Sequence, residues 1–337
     1  HRVNVEEMRE ALDAARRYYS EWFLPFPWRE LKLSEFPALA TYAQGFPTNI
    51  TFSEGIGFLT KSDPKANPAF MVTAHEAAHQ WWGNILSPGE GPGGNILSEG
   101  MAHFSTMLLI GQVKGEHARR EFARRIESRY GDNRQADSER PLVKTDGSRA
   151  GDDTVMYDKG GWVFWMLLNH MGRENALAAC SEFIRTYRDT ADHPVLQDFI
   201  ATARPHAPDS SAYDAFVRQW FFEKVVPEYR VKDAKRAEIA GTAAADTAGK
   251  SLWEVTATIE NRGTGRMPVT VAATAGEAYD EDGKAKDDYR EERQTVTLGA
   301  GERAELRFRC TFKPERVVVD PDILVLQLER DKAVAGL

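Results

Sequence analysis

Residues 72–82 of this 337-residue chain read Val-Thr-Ala-His-Glu-Ala-Ala-His-Gln-Trp-Trp. His75 and His79 are four positions apart, so a helix would place both imidazoles on one face, one turn apart. Two imidazoles in this arrangement can converge on a single metal ion. Glu76, next to the first histidine, would then reach a water molecule held by that ion. The stretch therefore predicts a catalytic metal centre on a helix.

A catalytic zinc site takes three protein ligands and leaves a fourth position open. The predicted third ligand is Glu99, which lies in residues 97–102 at the start of the next helical stretch. A loop rich in Gly and Pro, residues 87–95, is long enough to reverse the chain between the two helices. Glu99 would then lie beside His79, and His103, one turn further on, is predicted to hydrogen-bond a ligand from behind. One zinc ion is the predicted cofactor because these ligand types suit it, although another divalent metal stays open.

The sequence around these residues resembles the aminopeptidase N family of gluzincin metallopeptidases. That family carries His-Glu-x-x-His, then Trp-Trp-Gly or a similar group, and Asn-Glu-Gly on the next helix. Here the corresponding residues are 75–79, Trp81-Trp82-Gly83 and Ser98-Glu99-Gly100. Residues 80–98 separate the second histidine from the glutamate, one residue more than is usual in the family, and thermolysin-type enzymes share this longer spacing. The resemblance covers most of the chain and implies that it hydrolyses peptide bonds.

The longer spacing also resembles a subgroup whose peptidase domains are fused to permease subunits of ABC transporters. Residues 42–57 and 317–328 look like the same subgroup. The resemblance implies a parent protein that tethers this chain to a membrane transporter. The chain begins at His1, shows no signal peptide and has no apolar run of about eighteen residues. We therefore expect a soluble piece of a longer, membrane-associated protein, whose compartment the sequence does not define.

Two more residues take predicted roles from the resemblance. The family has Tyr-x-Lys-Gly before an apolar helix, and residues 157–160 read Tyr-Asp-Lys-Gly, which makes Tyr157 the expected donor to the oxyanion of the tetrahedral intermediate. The family also carries Gly-x-Met-Glu-Asn upstream of the metal motif, where the glutamate binds the free α-amine of the substrate. The comparable residues 52–55 read Phe-Ser-Glu-Gly, so Glu54 is the expected amine-binding residue.

The spacing of apolar residues predicts the fold class. Apolar residues recur at helical spacing through the first two thirds of the chain, beginning with residues 5–23. After residue 250 they alternate with polar residues, as at 253–259, with turn residues between short segments. The predicted class is α+β, and the resemblance implies a thermolysin-like, mainly helical catalytic domain followed by a β-sandwich. The predicted boundaries are 1–230 for the catalytic domain, 231–250 for a linker and 251–337 for the β-sandwich domain.

The charge of the chain excludes one class of partner. The formal net charge is −8 and no long basic run is present, so we do not expect nucleic-acid binding, which needs clustered Lys and Arg. Four arginines between residues 116 and 127 are interspersed with glutamates and are interpreted as a solvated helix face. The two cysteines, Cys180 and Cys310, are predicted to be buried thiols. The four arginines of the solvated helix face between residues 116 and 127 are Arg119, Arg120, Arg124 and Arg125.

The predicted function is that of a zinc-dependent metallopeptidase acting on peptides, with an aminopeptidase favoured. Glu76 would take a proton from water and pass it to the leaving amine. One open alternative is an endopeptidase of the same chemistry that needs no free amine. Another is a non-enzymatic module that binds a peptide or partner for a membrane transporter, which an intact Glu76 argues against because binding alone needs no general base. The side-chain preference and the oligomeric state are not predicted.

Overall fold

The structure is a computed structural model that describes residues 2–59, 61, 68–239 and 252–337. The chain divides into two compact units between Lys224 and Val225. Helices predominate in the first unit, and β-strands form nearly all of the regular structure of the second. The mixed helix-and-sheet class predicted from the sequence is therefore confirmed, whereas its thermolysin-like character stays a prediction.

The first helix, α1 (Val5–Trp22), is amphipathic. Its buried residues recur every three or four positions from Met8 to Trp22, which confirms the helix predicted at residues 5–23. Two short π-helical turns, π1 (Ile96–Gly100) and π2 (Val155–Lys159), occur further along this unit. The remaining helices of the unit are α2 (Glu54–Gly57), α3 (Pro68–Ala78), α4 (Met101–Val113), α5 (Glu116–Asn133), α6 (Asp152–Thr154), α7 (Gly160–Met171), α8 (Arg173–Tyr187), α9 (Leu196–Ala203) and α10 (Ser210–Phe222).

Three short strands form a sheet in the first unit: β1 (Lys32–Phe36), β2 (Ala43–Phe46) and β3 (Asn49–Ser53). β3 lies in the middle, parallel to β1 and antiparallel to β2, so β2 is at the sheet edge. A Cβ atom on Gly45 of β2 would lie 2.5 Å from the backbone oxygen of Glu76 in α3. Glycine at this position therefore allows the edge strand to approach the helix closely.

α4 and α7 form the centre of the first unit. All of residues 101–110 in α4 are buried, as are residues 160–168 in α7. Helices that are buried on every side belong to the core, because no face is left for water. π1 continues directly into α4, and π2 continues directly into α7. Both π-helical turns are therefore held at the starts of buried helices.

The starts of α4 and α7 meet at glycines. A Cβ on Gly160 would lie 3.3 Å from the Cα of Gly100, tighter than most real contacts of that atom. A Cβ on Gly161 would lie 2.6 Å from the Cβ of His103 and would clash. Small residues are required here, since any larger side chain would push the helices apart. This close approach brings π1 and π2 side by side.

The second unit contains two β-sheets. Its strands are β4 (Tyr229–Ile239), β5 (Leu252–Asn261), β6 (Met267–Ala275), β7 (Arg290–Leu298), β8 (Arg303–Cys310), β9 (Arg316–Val319) and β10 (Val334–Gly336). One sheet has the order β4-β5-β8 and the other β10-β9-β6-β7, and all pairs are antiparallel. In β5, Val255, Ala257 and Ile259 are buried and alternate with partly exposed residues. The β character predicted for this part of the chain is therefore confirmed.

The predicted linker at residues 231–250 is wrong in its first half. Residues 231–239 belong to β4, which pairs with β5 along the length from Tyr229 to Ile239. β4 is an edge strand in which only Tyr229 is fully buried, so its sequence looks like that of a polar connection. The second half of the predicted linker, residues 240–250, lies outside the described residues.

The helix face that was expected to be solvated is exposed only in part, because Arg119 is 1% exposed and lies over the ring of Trp165 at 4.7 Å. Both Cys180 and Cys310 are buried and free, as predicted. Within the described part of the chain, no helix has both the length and the apolar character needed to cross a membrane.

Candidate metal centre

The two motif histidines lie at the end of α3. His75 is in its last turn, and His79 follows directly after the helix ends at Ala78. The ring centroids are 4.8 Å apart, the planes meet at 87°, and the Nε2 atoms are 3.2 Å apart. The predicted convergence of the imidazoles is therefore present, although the helix ends one residue earlier than the spacing indicates.

Glu99 completes a group of three possible metal ligands. Its Oε2 lies 3.1 Å from Nε2 of His75 and 3.3 Å from Nε2 of His79. With ligand bonds of about 2.0–2.1 Å to zinc, atoms at the corners of a tetrahedron are about 3.3 Å apart. The spacing of these donor atoms therefore fits three corners around one such ion. Among the described residues, His75, His79 and Glu99 form the group of His, Cys, Asp or Glu side chains whose ligand atoms are close enough together to hold a metal ion.

Hydrogen bonds behind His79 define which of its nitrogens can bind a metal. Its Nδ1 lies 3.0 Å from the backbone oxygen of Trp82 and 3.3 Å from Oγ of Ser98. A carbonyl oxygen only accepts, so Nδ1 carries a hydrogen and Nε2 is the atom that faces the other ligands. Such a bond also fixes the ring in one orientation, as partners of metal-binding histidines commonly do.

The three side chains hold one extra proton among them, on the histidine pair beside an ionised carboxylate. Burial lowers the pKa of His75 to about 3, so this imidazole is neutral. Burial also opposes protonation of His79, but its hydrogen bond to Glu99 outweighs this and raises the pKa of His79 to about 9. Burial would raise the pKa of Glu99, yet the two histidines hold that pKa below its ordinary value. The histidines and Glu99 thus hold a proton between their ligand atoms. A divalent cation that binds to these atoms would displace that proton.

Glu76 lies beside the first histidine and is 8% exposed. Burial raises the pKa of Glu76 to about 7, while His79 and a hydrogen bond from the backbone N–H of Gly45 act in the opposite direction. Glu76 and His75 line the same cavity. A carboxyl group with a pKa near neutrality can both accept and release a proton under ordinary conditions, as a general base must.

Tyr157 lies in π2 and faces the histidines. Its ring stacks on that of His75, with centroids 5.9 Å apart and planes at 14°. Burial, and next the charge of Glu99, raise the pKa of Tyr157 above its ordinary value, so the phenol keeps its proton and can donate a hydrogen bond. Tyr157 lines the cavity that also contains Glu76. The structure therefore brings the predicted oxyanion donor to the predicted ligands.

His103 connects the cluster to the ion pair between Arg129 and the buried Asp158. Its Nδ1 lies 2.9 Å from Nδ1 of His75, the ring nitrogen directed away from Glu99. On its other side, Nε2 of His103 lies 2.9 Å from Nη2 of Arg129 and 3.5 Å from Oδ1 of Asp158. A guanidinium only donates, so Nε2 of His103 accepts from Arg129, and a neutral His103 ring carries its hydrogen on Nδ1, which faces Nδ1 of His75. The predicted contact of His103 with a ligand is present.

Asp158 and Arg129 were not among the residues singled out from the sequence. Nε of Arg129 lies 2.9 Å from Oδ1 and 2.8 Å from Oδ2 of Asp158, a two-point ion pair. Oγ1 of Thr154 donates to the same carboxylate at 2.8 Å. Asp158 directly follows Tyr157, so its position next to a predicted site residue was the available signal. Arg129 offers no such signal, since α5 reaches the site only through tertiary packing.

The structure does not bring Glu54 into the cavity around the other predicted residues. Glu54 begins α2, and its Oε1 accepts a hydrogen bond of 2.9 Å from the backbone N–H of Ala38. Within the described part of the chain, the side chains that line the cavity with His75, Glu76 and Tyr157 do not include Glu54. Its role in binding the substrate amine therefore stays a prediction.

Curated proteins with similar sequences are plant aminopeptidases. The chain is 27% identical over 188 residues to aminopeptidase M1-B of Oryza sativa subsp. japonica, covering 53% of this chain and 21% of that protein. It is 28% identical over 179 residues to aminopeptidase M1-C of the same organism, covering 50% of this chain and 20% of that protein. The chain thus spans about a fifth of the length of these relatives.

Solved structures with a similar fold are also peptidases. Aminopeptidase A of Legionella pneumophila, in complex with aspartic acid, matches 96% of this chain and 34% of its own with a TM-score of 0.60 at 16% identity. A mutant of an M1 zinc metallopeptidase from Deinococcus radiodurans matches 65% of this chain and 44% of its own with a TM-score of 0.50 at 19% identity. The model of the peptidase family M1 domain matches residues 4–220. These residues contain the whole candidate centre, and the chain belongs to peptidase family M1.

Proposed function

We propose that this chain is the catalytic part of a zinc-dependent metallopeptidase that acts as an aminopeptidase. The observation that carries the proposal is the convergence of three donor atoms, 3.1–3.3 Å apart, beside a buried carboxyl group and a phenol. His75, His79 and Glu99 are the proposed ligands. Two imidazoles and one carboxylate are a ligand set that catalytic zinc sites use.

Each side chain of the site has a separate proposed role. When bound, zinc would polarise the carbonyl of the scissile peptide bond and lower the pKa of a water molecule. Glu76 takes the proton of the attacking water and delivers it to the leaving amine, a task that its pKa near neutrality suits. Tyr157 donates a hydrogen bond to the oxyanion that forms as the carbonyl carbon is attacked. His103 and Ser98 orient the two histidine rings from behind.

The aminopeptidase part of the proposal rests on the family. Three of the four similar proteins named above are called aminopeptidases, and the chain covers only part of each. Glu54 keeps the family's carboxylate in the sequence, but its Oε1 hydrogen-bonds Ala38 and it does not line the described cavity wall. We propose that Glu54 nevertheless binds the substrate amine, after exchanging this backbone partner. The link to an ABC-transporter permease stays a prediction, as does the boundary at residue 250, which lies outside the described residues.

A matched pair of peptides tests the proposal. Zinc-loaded protein is given one peptide with a free amine and the same peptide acetylated at its N-terminus, each with and without a chelator. We expect cleavage of the free peptide at the first bond, little cleavage of the acetylated one and none with the chelator. Equal cleavage of both peptides would replace the aminopeptidase by an endopeptidase.

A variant of the proposed base provides the control. Glu76→Gln should lower kcat by about 10²- to 10⁴-fold, because the proton acceptor is lost. Bound zinc should stay at one ion per chain, since Glu76 is not among the three ligand atoms. If Glu76→Gln kept full activity with zinc bound, the proposed mechanism would be wrong.

A further inference from the structure

One wall of the cavity at the metal cluster is a face of α5. The cavity has a volume of about 470 Å³ and contains His75, Glu76 and Tyr157. α5 contributes residues 122, 125, 126 and 129 to its lining. Positions 125 and 126 are each three or four residues from both 122 and 129, so the four positions form one stripe along the helix. Two members of the stripe are arginines, Arg125 and Arg129, one turn apart.

Arg125 differs from the other arginines of this helix in its partners. Among the described residues, no carboxylate pairs with its guanidinium, and the contact it makes is one of 3.7 Å from Nη1 to Sδ of Met71. Arg129, by contrast, is already engaged by Asp158. The remaining arginines of the helix pair with neighbouring glutamates: Arg119 and Arg120 with Glu116, and Arg124 with Glu121.

The surroundings of Arg125 favour a ligand that is apolar near the site and anionic at its end. Met71, Val72, Phe122 and Ile126 line the cavity with it and offer no charge to the guanidinium. Arg125 is exposed, so a carboxylate can reach its guanidinium and form paired, charge-assisted hydrogen bonds with it. In a mostly apolar pocket, a small number of well-placed polar groups determines which ligand is bound.

The lining of the cavity also contains a negative group. Glu76, the proposed general base, lines the same cavity as Arg125. The carboxylate of Glu76 disfavours an approaching carboxylate, so a cation elsewhere in the lining favours a substrate with a negative group. Arg125 provides that cation without giving up an existing ion pair.

We propose that Arg125 binds a carboxylate of the peptide substrate close to the scissile bond, so that the enzyme prefers substrates that carry one there. This inference rests on the proposed function. Two sources supply the same chemistry: the side chain of an acidic residue next to the cleaved bond, and the C-terminal carboxylate of a di- or tripeptide. Arg125 is a binding residue in this proposal, and Arg129 keeps its place with Asp158.

The test compares peptides that differ in one carboxylate. Glu-containing and Gln-containing peptides are matched at each residue next to the cleaved bond, and free tripeptides are matched with their C-terminal amides. For at least one pair we expect kcat/KM to be about 2- to 5-fold higher with the carboxylate, the effect of one ion pair at an exposed guanidinium. The pair that shows the difference identifies the source of the carboxylate.

Three variants attribute the preference to Arg125. In Arg125→Gln the ratio should fall towards one, and Arg125→Lys should restore part of it because the charge is kept but not the paired geometry. Arg124→Gln is the matched control, since Arg124 neighbours Arg125 but pairs with Glu121 outside the cavity. That control should leave the ratio unchanged.

The failure of this inference is distinguishable from failure of the proposed function. If peptides are cleaved but no pair differs, or if Arg125→Gln keeps the ratio, the carboxylate site is wrong and the peptidase proposal stands. If no peptide is cleaved, binding of the same pairs to zinc-loaded Glu76→Gln protein is measured by calorimetry. Tighter binding of the carboxylate peptide that disappears with Arg125→Gln supports the site without turnover. Equal binding of both members overturns it.

Discussion

At the scale of single residues, the candidate centre depends on which nitrogen of each histidine is left free. His79 is oriented by the carbonyl of Trp82, and His75 is contacted from behind by His103. In both rings Nδ1 is occupied and Nε2 faces Glu99. A ligand held in this way needs little rearrangement to bind a cation, which favours metal affinity.

Replacing His103 should weaken metal binding without unfolding the chain. We expect His103→Ala to raise the dissociation constant for zinc by about 10- to 100-fold, because His75 loses the partner that orients its ring. The affinity is measured by competition with a chromophoric chelator, which does not depend on turnover. His206→Ala is the control, as His206 pairs with Glu182 at an exposed position. Unchanged zinc affinity in His103→Ala would remove His103 from the site.

Replacing Tyr157 should affect the rate of the reaction and not the metal. Tyr157→Phe keeps the ring that stacks on His75 but removes the hydrogen that the phenol donates. We expect kcat to fall by about 10²- to 10³-fold, with KM and zinc content nearly unchanged, as for loss of one oxyanion donor. A large rise in KM at constant kcat would instead identify Tyr157 as a residue that binds substrate in the ground state.

At the scale of elements, the site forms where two π-helical turns meet. Glu99 lies in π1 and Tyr157 in π2, and glycines at positions 100 and 160 let the following helices approach. Behind π2, Nζ of Lys159 lies 2.6 Å from Oε1 of Glu139, with both side chains buried. Arg134 pairs with the same carboxylate at 2.7 Å. This buried group anchors the turn that carries the phenol.

Breaking the Glu139 ion pairs should destabilise the first unit. Glu139→Gln leaves Lys159 buried without its counter-charge, which costs about 3–5 kcal/mol for pairs of this kind. Unfolding in urea, followed by tryptophan fluorescence, measures the loss. Asp214→Asn, at an exposed pair with Arg204, should cost much less. Similar losses for both variants would contradict an anchoring role for the buried group.

The effect of Glu139→Gln should depend on pH in a defined direction. Burial would raise the pKa of Glu139, but Lys159 and Arg134 hold that pKa below its ordinary value in the folded chain. The ion pairs therefore contribute fully at and above the ordinary pKa of a glutamate, and the contribution disappears as pH falls through the lower pKa of the folded state. The difference in stability between wild type and variant should be constant from neutral pH to about pH 5 and shrink below it.

At the scale of the whole molecule, the sequence predicts well those features that depend on the spacing of residues close together in the chain. The three proposed ligands and Tyr157 were found from motifs, and the structure brings them together. Arg129 and its contact with His103 were not found, since they depend on how α5 packs against π2. The π-helical turns were missed because one extra residue in a turn barely disturbs an apolar pattern. β4 was mistaken for a linker because an edge strand buries few side chains.

Zinc should stabilise the first unit selectively. All three proposed ligands lie before Lys224, as do seven of the eight tryptophans, the exception being Trp253. Zinc at about 1,000 times its dissociation constant adds about 4 kcal/mol to the folded state that binds it. Hydrogen exchange should slow in residues 68–82 and 96–113 and stay the same in 252–337. Equal protection of both regions, or none, would contradict a single centre in the first unit.

The π-helical turns have one more consequence, for insertions and deletions. A π turn closes hydrogen bonds one residue further along than an α-helix, so losing one residue there can restore ordinary helix. Each residue of an α-helix turns the chain by about 100°. Deleting one residue would therefore rotate the side chains before the deletion by that angle relative to those after it. Removing one residue from π1 or π2 would therefore leave α4 or α7 intact in length and turn Glu99 or Tyr157 away from the histidines. Chains that lack one residue in either segment are thus expected to fold and be inert.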